Sequence, residues 1–461
     1  MNDSENAQPK SLAISLSGGG HRATLFALGA LMYFVDAKAN AGVSSIASVS
    51  GGSLTNGFVG QTLNFKQTNG EEFRRSVAAP LATQIALKGT LFAPLISKLY
   101  VAVLIVSGLL VLALLLIPWG PEYLRLLTFV IGLALWGWFA GKRGAMCARA
   151  FNKTLFTPGD RSTRLSELAK SGLDHVICST EFRSSEQVYF AGDFVYSYAL
   201  GHGTPADMLL AHAVQASAAY PGGFPPATLP AKRHNFTGAP RIPGGPSTPT
   251  DYMVLTDGGV YDNMGDQWAR GFAKRVALWR DLANGRTPPA HLVVVNASAR
   301  VPWSPFRRRL IPLIGEVLAL LRVMDIMFIN TTNVRRQVIF DSFNPAHPEK
   351  VSGLPSVLVQ ISQSPFLVPN AYVQEPGSVG QRARAVLDLL SQGPSSEAWA
   401  QIASQNSAVA TTLSKLGADV SARLIYHAYV VTMCNLHVFF GDDFPLFSEE
   451  LAIERFRRLI S

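Results

Sequence analysis

The sequence predicts an α/β protein into which a two-helix membrane hairpin is inserted, and three observations carry that expectation. Residues 11–17 (SLAISLS) form a short apolar run, followed by Gly18-Gly19-Gly20 and then helical apolar spacing over 23–35. A second unit repeats the layout, with a small, β-branched run at 44–49 (SSIASV) leading through Ser50-Gly51-Gly52 into another helical stretch. Buried strands read as short apolar runs bounded by turn residues, so both units fit strand, tight loop and helix. The third observation is a pair of uncharged apolar runs at 99–117 and 126–140, separated by Pro118-Trp119-Gly120-Pro121.

Composition agrees with a partly membrane-bound chain. Only 15% of the 461 residues are charged, while 48% are hydrophobic. An ordinary soluble domain is about 25% charged. The formal net charge is +9. A basic excess suits an anionic bilayer surface or nucleic acid. No stretch interleaves Lys and Arg with aromatic residues, which favours the bilayer and sets nucleic acid aside. Cys147, Cys178 and Cys434 are too widely spaced to suggest a disulfide framework or a zinc site. Residues 1–10 are polar and acidic with no apolar core, so a cleaved signal peptide is not expected and the N-terminus is expected in the cytosol.

In chain order, the first glycine loop comes first. A loop of this kind between strand and helix aims backbone N–H groups at an anion. The spacing matches neither a dinucleotide fingerprint nor a P-loop. Three consecutive glycines can instead direct amides at one oxygen, as a tetrahedral oxyanion requires. A plain glycine turn into a helix is the alternative for Gly18-Gly19-Gly20 taken alone. Arg22 either anchors a phosphate or braces the loop, and His21 reads as hydrogen-bonded scaffold. The Ser48-Val49-Ser50-Gly51-Gly52 turn has the form of a nucleophile elbow, G-x-S-x-G, with Ser48 in place of the first glycine. By itself such a turn is more often structural than catalytic.

The two apolar runs are of bilayer-spanning length, the second shorter than the first. Tyr123, Trp119, Trp136 and Trp138 suit the interfaces. Lys88 and Lys98 precede the pair, and Lys142, Arg143, Arg149 and Lys153 follow it. Both outer ends are therefore expected in the cytosol with the tip on the far side. A tightly packed pair of core helices is the other reading. Neither run contains a charge, so no transport pathway is indicated.

Further on, strands are expected at 174–180 and 188–190 with a turn near Ser184-Ser185, a helix over 205–217, and a long loop, lid or rim, over 228–250. Residues 253–256 read as a strand ending in Asp257-Gly258-Gly259, where an aspartate in a sharp turn sits at the edge that holds sites in α/β sheets. An Asx turn is the plainer reading of that motif. Strands are expected at 291–297 and 356–361, and surface helices within 380–415. A basic amphipathic pattern over 306–329 suits either a core-facing helix or one lying on an anionic bilayer. The apolar stretch 424–440 contains His427, Asn435 and His437 and reads as a buried helix, not a third span.

Taken together, Ser17-Gly18-Gly19-Gly20-His21-Arg22, the turn at Ser50 and Asp257-Gly258-Gly259 resemble the motifs of the patatin-like phospholipase family. Ala216-Ser217-Ala218-Ala219-Tyr220-Pro221 with Phe224-Pro225-Pro226 resembles a further block of that family. The resemblance covers residues 11–60 and 173–300. It implies a three-layer sandwich around a central, mostly parallel sheet, of the bacterial type; the inserted transmembrane hairpin interrupts that domain after the helix that follows Ser50 and is not part of the family's core pattern. It also implies a Ser50–Asp257 dyad working through an acyl-enzyme, an oxyanion hole from Gly18, Gly19 and Gly20, and supporting roles for Arg22, Gly51, Gly52, Gly258 and Gly259. No cofactor or metal is implied. Two departures from the family pattern stand out, Ser48 at the elbow and Ala23 after Arg22.

The expected organisation is a first catalytic segment at 1–97, a hairpin at 98–143, the remainder of the catalytic domain at 144–370, and a helical extension packed on it at 371–461. The expected activity is that of a membrane-anchored lipid acyl hydrolase, with phospholipid or another lipid ester as substrate. The catalytic domain would face the cytosol, at a bacterial inner membrane. Alternatives are an acyltransferase using the same dyad and a silent scaffold that binds lipid or protein.

Overall fold

The computed structural model describes residues 11–460 except 118, 239–250, 280–281, 283–284 and 299–311. Ten strands form one sheet: β1 (Leu12–Leu16), β2 (Val43–Ser48), β3 (Asp174–Glu181), β4 (Gln187–Phe190), β5 (Val195–Ser197), β6 (Gly201–Gly203), β7 (Ala227–Pro230), β8 (Tyr252–Asp257), β9 (His291–Asn296) and β10 (Ser356–Gln360). The central order is β10-β9-β1-β2-β3, and every pairing within it is parallel. The β3-β4-β5-β6 flank and the β7-β8 pair are antiparallel.

Parallel strands need both faces covered, which explains their unbroken apolar runs. Alternate residues divide between two layers. On one face Leu12, Ile14, Leu16, Val293 and Val295 join helices α1 (Gly20–Asp36), α2 (Gly51–Thr62) and α12 (Ala418–Phe440). On the other face Ala13, Leu292, Val294 and Leu358 meet Met264 and Ile339, the latter on α9 (Pro312–Ser342). Ala47, Val49 and Tyr189 meet Trp268, on α7 (Gln267–Arg270), and Phe272, at the start of α8 (Phe272–Leu278). The result is a three-layer sandwich.

Helices α3 (Leu95–Leu116) and α4 (Glu122–Ala140) leave this body as an antiparallel pair. Tyr100 donates to the Phe139 carbonyl at 2.6 Å and Trp136 to the Leu104 carbonyl at 2.9 Å. An 18-residue window of α3 is 0% buried, and both helices are long and apolar enough to cross a membrane. Helix α5 (Arg143–Leu155) returns the chain to the sandwich and packs on α6 (Leu210–Ser217).

Several elements differ from the sequence reading. The helix expected over 205–217 starts only at Leu210, because Leu209 pairs with Arg164 and the Leu210 N–H goes to the Thr163 carbonyl at 3.0 Å. The expected loop 228–250 begins as β7, paired with β8, and its remainder, 239–250, lies outside the described residues. The same holds for residues 1–10 and for Arg307, Arg308 and Arg309 at the head of the amphipathic pattern. The amphipathic helix itself runs on to Ser342. The C-terminal region contributes α10 (Ser378–Leu390), α11 (Ser396–Ser407) and α12. Far from being an appendage, α12 is 89% buried over its most apolar window and lies against α1.

Candidate active site

The register of β3 brings two distant motifs together. The first half of β3 pairs with β2, ending at Ser48 opposite Ile177. Two residues further along, Ser179 lies opposite Asp257. Strand β8 runs antiparallel to β3 and so meets the carboxyl end of β2 head-on. The chain after β2 must turn away sharply, and it does so at Ser50.

Ser50 has φ 50° and ψ −114°, a backbone conformation that a residue with a Cβ rarely adopts. Such strain is tolerated where surrounding bonds over-determine it. Here they do. The Ser50 N–H donates to Ser217 Oγ at 2.9 Å, and Gly52 N–H bonds the carbonyls of Val49 at 2.9 Å and Ser17 at 3.2 Å. Glycine at 51 follows from crowding, because a Cβ there would stand 2.0 Å from the Gly20 carbonyl oxygen. Gly51→Ala is therefore expected to cost about 2 kcal/mol or more through backbone displacement. Thermal melting of the variant beside the wild type checks it.

Ser48 is accommodated by hydrogen bonding. Its hydroxyl donates to the Val176 carbonyl at 3.0 Å and accepts from Ser53 at 3.1 Å and from the Asn56 amide at 2.9 Å. Ser53 in turn lies 2.9 Å from Ser217 Oγ. With the Ser53 proton given to Ser48, Ser217 donates to Ser53 while accepting the Ser50 N–H. A relay of hydroxyls thus anchors the elbow where a first glycine would leave only backbone packing. Sequence reading had not picked out Ser53 or Asn56, though both lie within one helical turn or two of the motif.

Asp257 is buried, 3% exposed, and the Ser50 hydroxyl is near enough to favour its ionised form. Its Oδ1 accepts the Gly259 N–H at 2.7 Å. Burial is the dominant influence and pushes its pKa up to about 7, against the lowering effect of those two donors. Gly258 fits because a Cβ would stand 2.4 Å from the Cys178 carbonyl oxygen. Nearby Asp262 accepts the N–H groups of Met264, Gly265 and Gln267, and its pKa also rises to about 7 through burial and then the neighbouring Asp266.

The glycine loop closes the third side. A Cβ on Gly18 would be 3.3 Å from Ser50 Cβ, so the loop lies directly beside the serine. One expectation changes here. The Gly18 N–H donates to the Asn263 carbonyl at 3.0 Å and is not free for an oxyanion. The N–H groups of Gly19 and Gly20 have no acceptor among the described residues. Asn263 also donates through its side chain to Ser298 at 2.6 Å.

Arg22 is a brace. Its guanidinium donates to the carbonyls of Ala297, at 2.9 Å, and Val409, and burial pushes its pKa down to about 10. His21 is scaffold. Its Nδ1–H donates to the Ser414 carbonyl at 2.7 Å and its Nε2 accepts from Thr90 at 2.9 Å, with burial lowering its pKa to about 4. The segment around Thr412, whose carbonyl accepts the His21 N–H at 2.9 Å, forms a strap over the loop that nothing in the local sequence announces. No cluster of three metal-ligating side chains occurs among the described residues.

A strained serine turn, a buried carboxylate and a glycine loop thus gather at the carboxyl end of the parallel strands. A model of the patatin-like phospholipase family matches residues 14–265, more than half of the 461. The chain belongs to that family. Among solved structures, VipD from Legionella pneumophila is similar over 99% of this chain and 92% of its own, at 13% identity and a TM-score of 0.24. No curated protein sequence matches the chain.

Proposed function

We propose that the protein is a membrane-anchored serine lipid acyl hydrolase with Ser50 as nucleophile and Asp257 as base. The observation that carries this reading is the nearness of the Ser50 hydroxyl, on its strained turn, to the buried Asp257 carboxylate, whose ionised form it favours. A serine hydroxyl needs a base to become nucleophilic. The imidazoles of His21 and His175, the histidines nearest these motifs in the sequence, are engaged elsewhere, His175 with Asn56 at 2.8 Å. Asp257 takes the Ser50 proton as Oγ attacks the ester carbonyl of a phospholipid or related lipid ester. It then passes that proton to the departing alcohol as the acyl-enzyme forms. Water next attacks the acyl-enzyme, giving its proton to Asp257, and Ser50 recovers it when the fatty acid leaves. The amides of Gly19 and Gly20 would hold the oxyanion, and losing one such donor typically costs about 3–4 kcal/mol of transition-state stabilisation. No step needs a metal or nucleotide.

The hairpin would anchor the site at its substrate. Its two roots flank the site. Thr90, which bonds His21, lies five residues before α3, and Gly144, just after α4, abuts Gln215 on the helix that ends at Ser217. In this reading α3 and α4 cross the membrane, with the sandwich on the cytosolic side. A cysteine placed at Gly120 is expected to react with an impermeant maleimide only from the non-cytosolic side, and labelling from the cytosolic side would remove the hairpin from the proposal.

A fluorophosphonate probe tests the nucleophile. It is expected to attach covalently to Ser50, found by peptide mass spectrometry, while the same protein releases fatty acid from phosphatidylglycerol vesicles. Folded protein that neither labels nor releases acyl chains would refute the hydrolase reading and leave a lipid-binding scaffold.

A further inference from the structure

We propose that the outer face of α9 rests on the same bilayer that receives the hairpin, an inference that depends on the membrane reading above. Helix α9 has two dissimilar sides. Inwardly, Arg335 pairs with Asp262 at 3.5 Å and Asp266 at 3.1 Å, and Ile339 is buried under the sheet. Phe328 reaches the catalytic turn, since a Cβ on Gly259 would stand 2.9 Å from its ring. On the other side, Leu320 (65% exposed), Val323, Ile326, Met327 (64%), Val334 and Val338 are exposed, with no cover among the described residues. They recur at helical spacing. Among the described exposed positions from Ala319 to Val338 none is charged, the others being Asn330, Asn333 and Gln337.

A helix that faces water normally carries charge on its outer side, and a contiguous apolar face marks an interaction surface. Continuity identifies the occupant. Both roots of the hairpin and the inner face of α9 converge on the turns at the carboxyl end of the sheet, through His21, Ser217 and Gly259 respectively. A bilayer spanned by α3 and α4 would therefore lie over that edge, where α9 borders Asp257. The stripe also has a gradient. Among the described exposed positions, those from Ala319 to Met327 are apolar, whereas those further on interleave Asn330, Asn333 and Gln337 with Val334 and Val338. Interfacial helices bury the apolar face about 5–10 Å into the head-group and acyl boundary. The gradient sets the tilt, with Val323 and Met327 among acyl chains and Val334 near the head groups.

Cys147, Cys178 and Cys434 are all buried, so a single introduced cysteine reports its own position. Full-length Ser50→Ala protein carrying Val323→Cys, Met327→Cys or Val334→Cys would be labelled with an environment-sensitive dye. Gln401→Cys on α11 serves as the water-facing control. In vesicles of phosphatidylethanolamine and phosphatidylglycerol in equal parts, dyes at 323 and 327 are expected to shift to the blue and lose fluorescence to acyl-chain spin labels. The dye at 334 should respond less, and that at 401 not at all. Dyes at 323 and 327 that remain open to aqueous iodide, as at 401, would overturn the proposal. So would dyes that become dry without lipid quenching, which would assign the face to a second protein copy. Because depth is read on a variant that cannot turn over, loss of the hydrolase reading is seen separately, in the fluorophosphonate experiment.

Discussion

Ser50→Ala is expected to lower acyl release from phospholipid vesicles by about 10⁴-fold or more, the range seen when a serine nucleophile is removed. The fold should survive, because the bonds that hold the elbow run through the Ser50 backbone N–H, Ser217 and Gly52, and not through the Ser50 hydroxyl. Alanine at a positive φ is no more strained there than serine. A second consequence separates a catalytic from a structural role. The Ser50 hydroxyl is one of two donors that hold the Asp257 pKa down, so its loss raises that pKa further. Carboxyl titration followed by infrared or NMR spectroscopy would read this directly. Wild-type turnover in a folded Ser50→Ala protein would remove the proposed nucleophile.

The second large effect belongs to Asp257→Asn, expected to reduce turnover by about 10²–10⁴-fold, the contribution of a positioned general base. In the wild type the base must be ionised, so kcat/KM should rise with pH below about 7 and level off above it. Stability should move the other way. The folded-state pKa lies above the ordinary carboxyl value of 3.8, so the folded protein keeps this proton between about pH 4 and 7 while the unfolded chain has lost it. Stability from this group therefore declines as pH rises through that window. At pH 8 the folded protein bears the buried carboxylate, a cost on the order of a few kcal/mol. Asparagine can still accept the Gly259 N–H and carries no charge. The variant should melt higher than the wild type at pH 8 and lose that advantage near pH 4. Asp262, whose pKa burial also raises, is present in both proteins and so cancels in the comparison.

Much of this site was legible because its parts are local. A glycine run after a short apolar strand, a Ser-Gly-Gly turn and an Asp-Gly-Gly turn each need only a few consecutive residues. Strands β1, β2, β3, β9 and β10 could be read within a residue or two for the same reason. Register was not legible. Nothing in residues 252–257 says that β8 pairs with the second half of β3 and points at the end of β2. That pairing alone makes Asp257 a neighbour of Ser50. The fate of the Gly18 amide was hidden likewise, because its acceptor, Asn263, lies 245 positions away (263 − 18). By motif, Ser48 is only a departure at the first-glycine position of the elbow. Its effect lies instead in hydrogen bonding to Ser53, Asn56 and Val176, two of them too far along the helix for the motif to include. The apolar periodicity of α9 was visible, but which face would be left bare depends on what Arg335 and Phe328 find on the sheet.

The strap around Thr412 and Ser414 has a consequence for biosynthesis. A ribosome delivers the elbow, the glycine loop and the hairpin early, and the Asp257 turn midway. His21 nevertheless lacks its carbonyl acceptors, and Arg22 lacks the Val409 carbonyl, until residues 409–414 emerge. The nascent chain would thus be threaded into a membrane while its oxyanion loop is still unbraced. On the proposed membrane reading, the hairpin would meet its lipids before residues 409–414 have emerged to brace the loop.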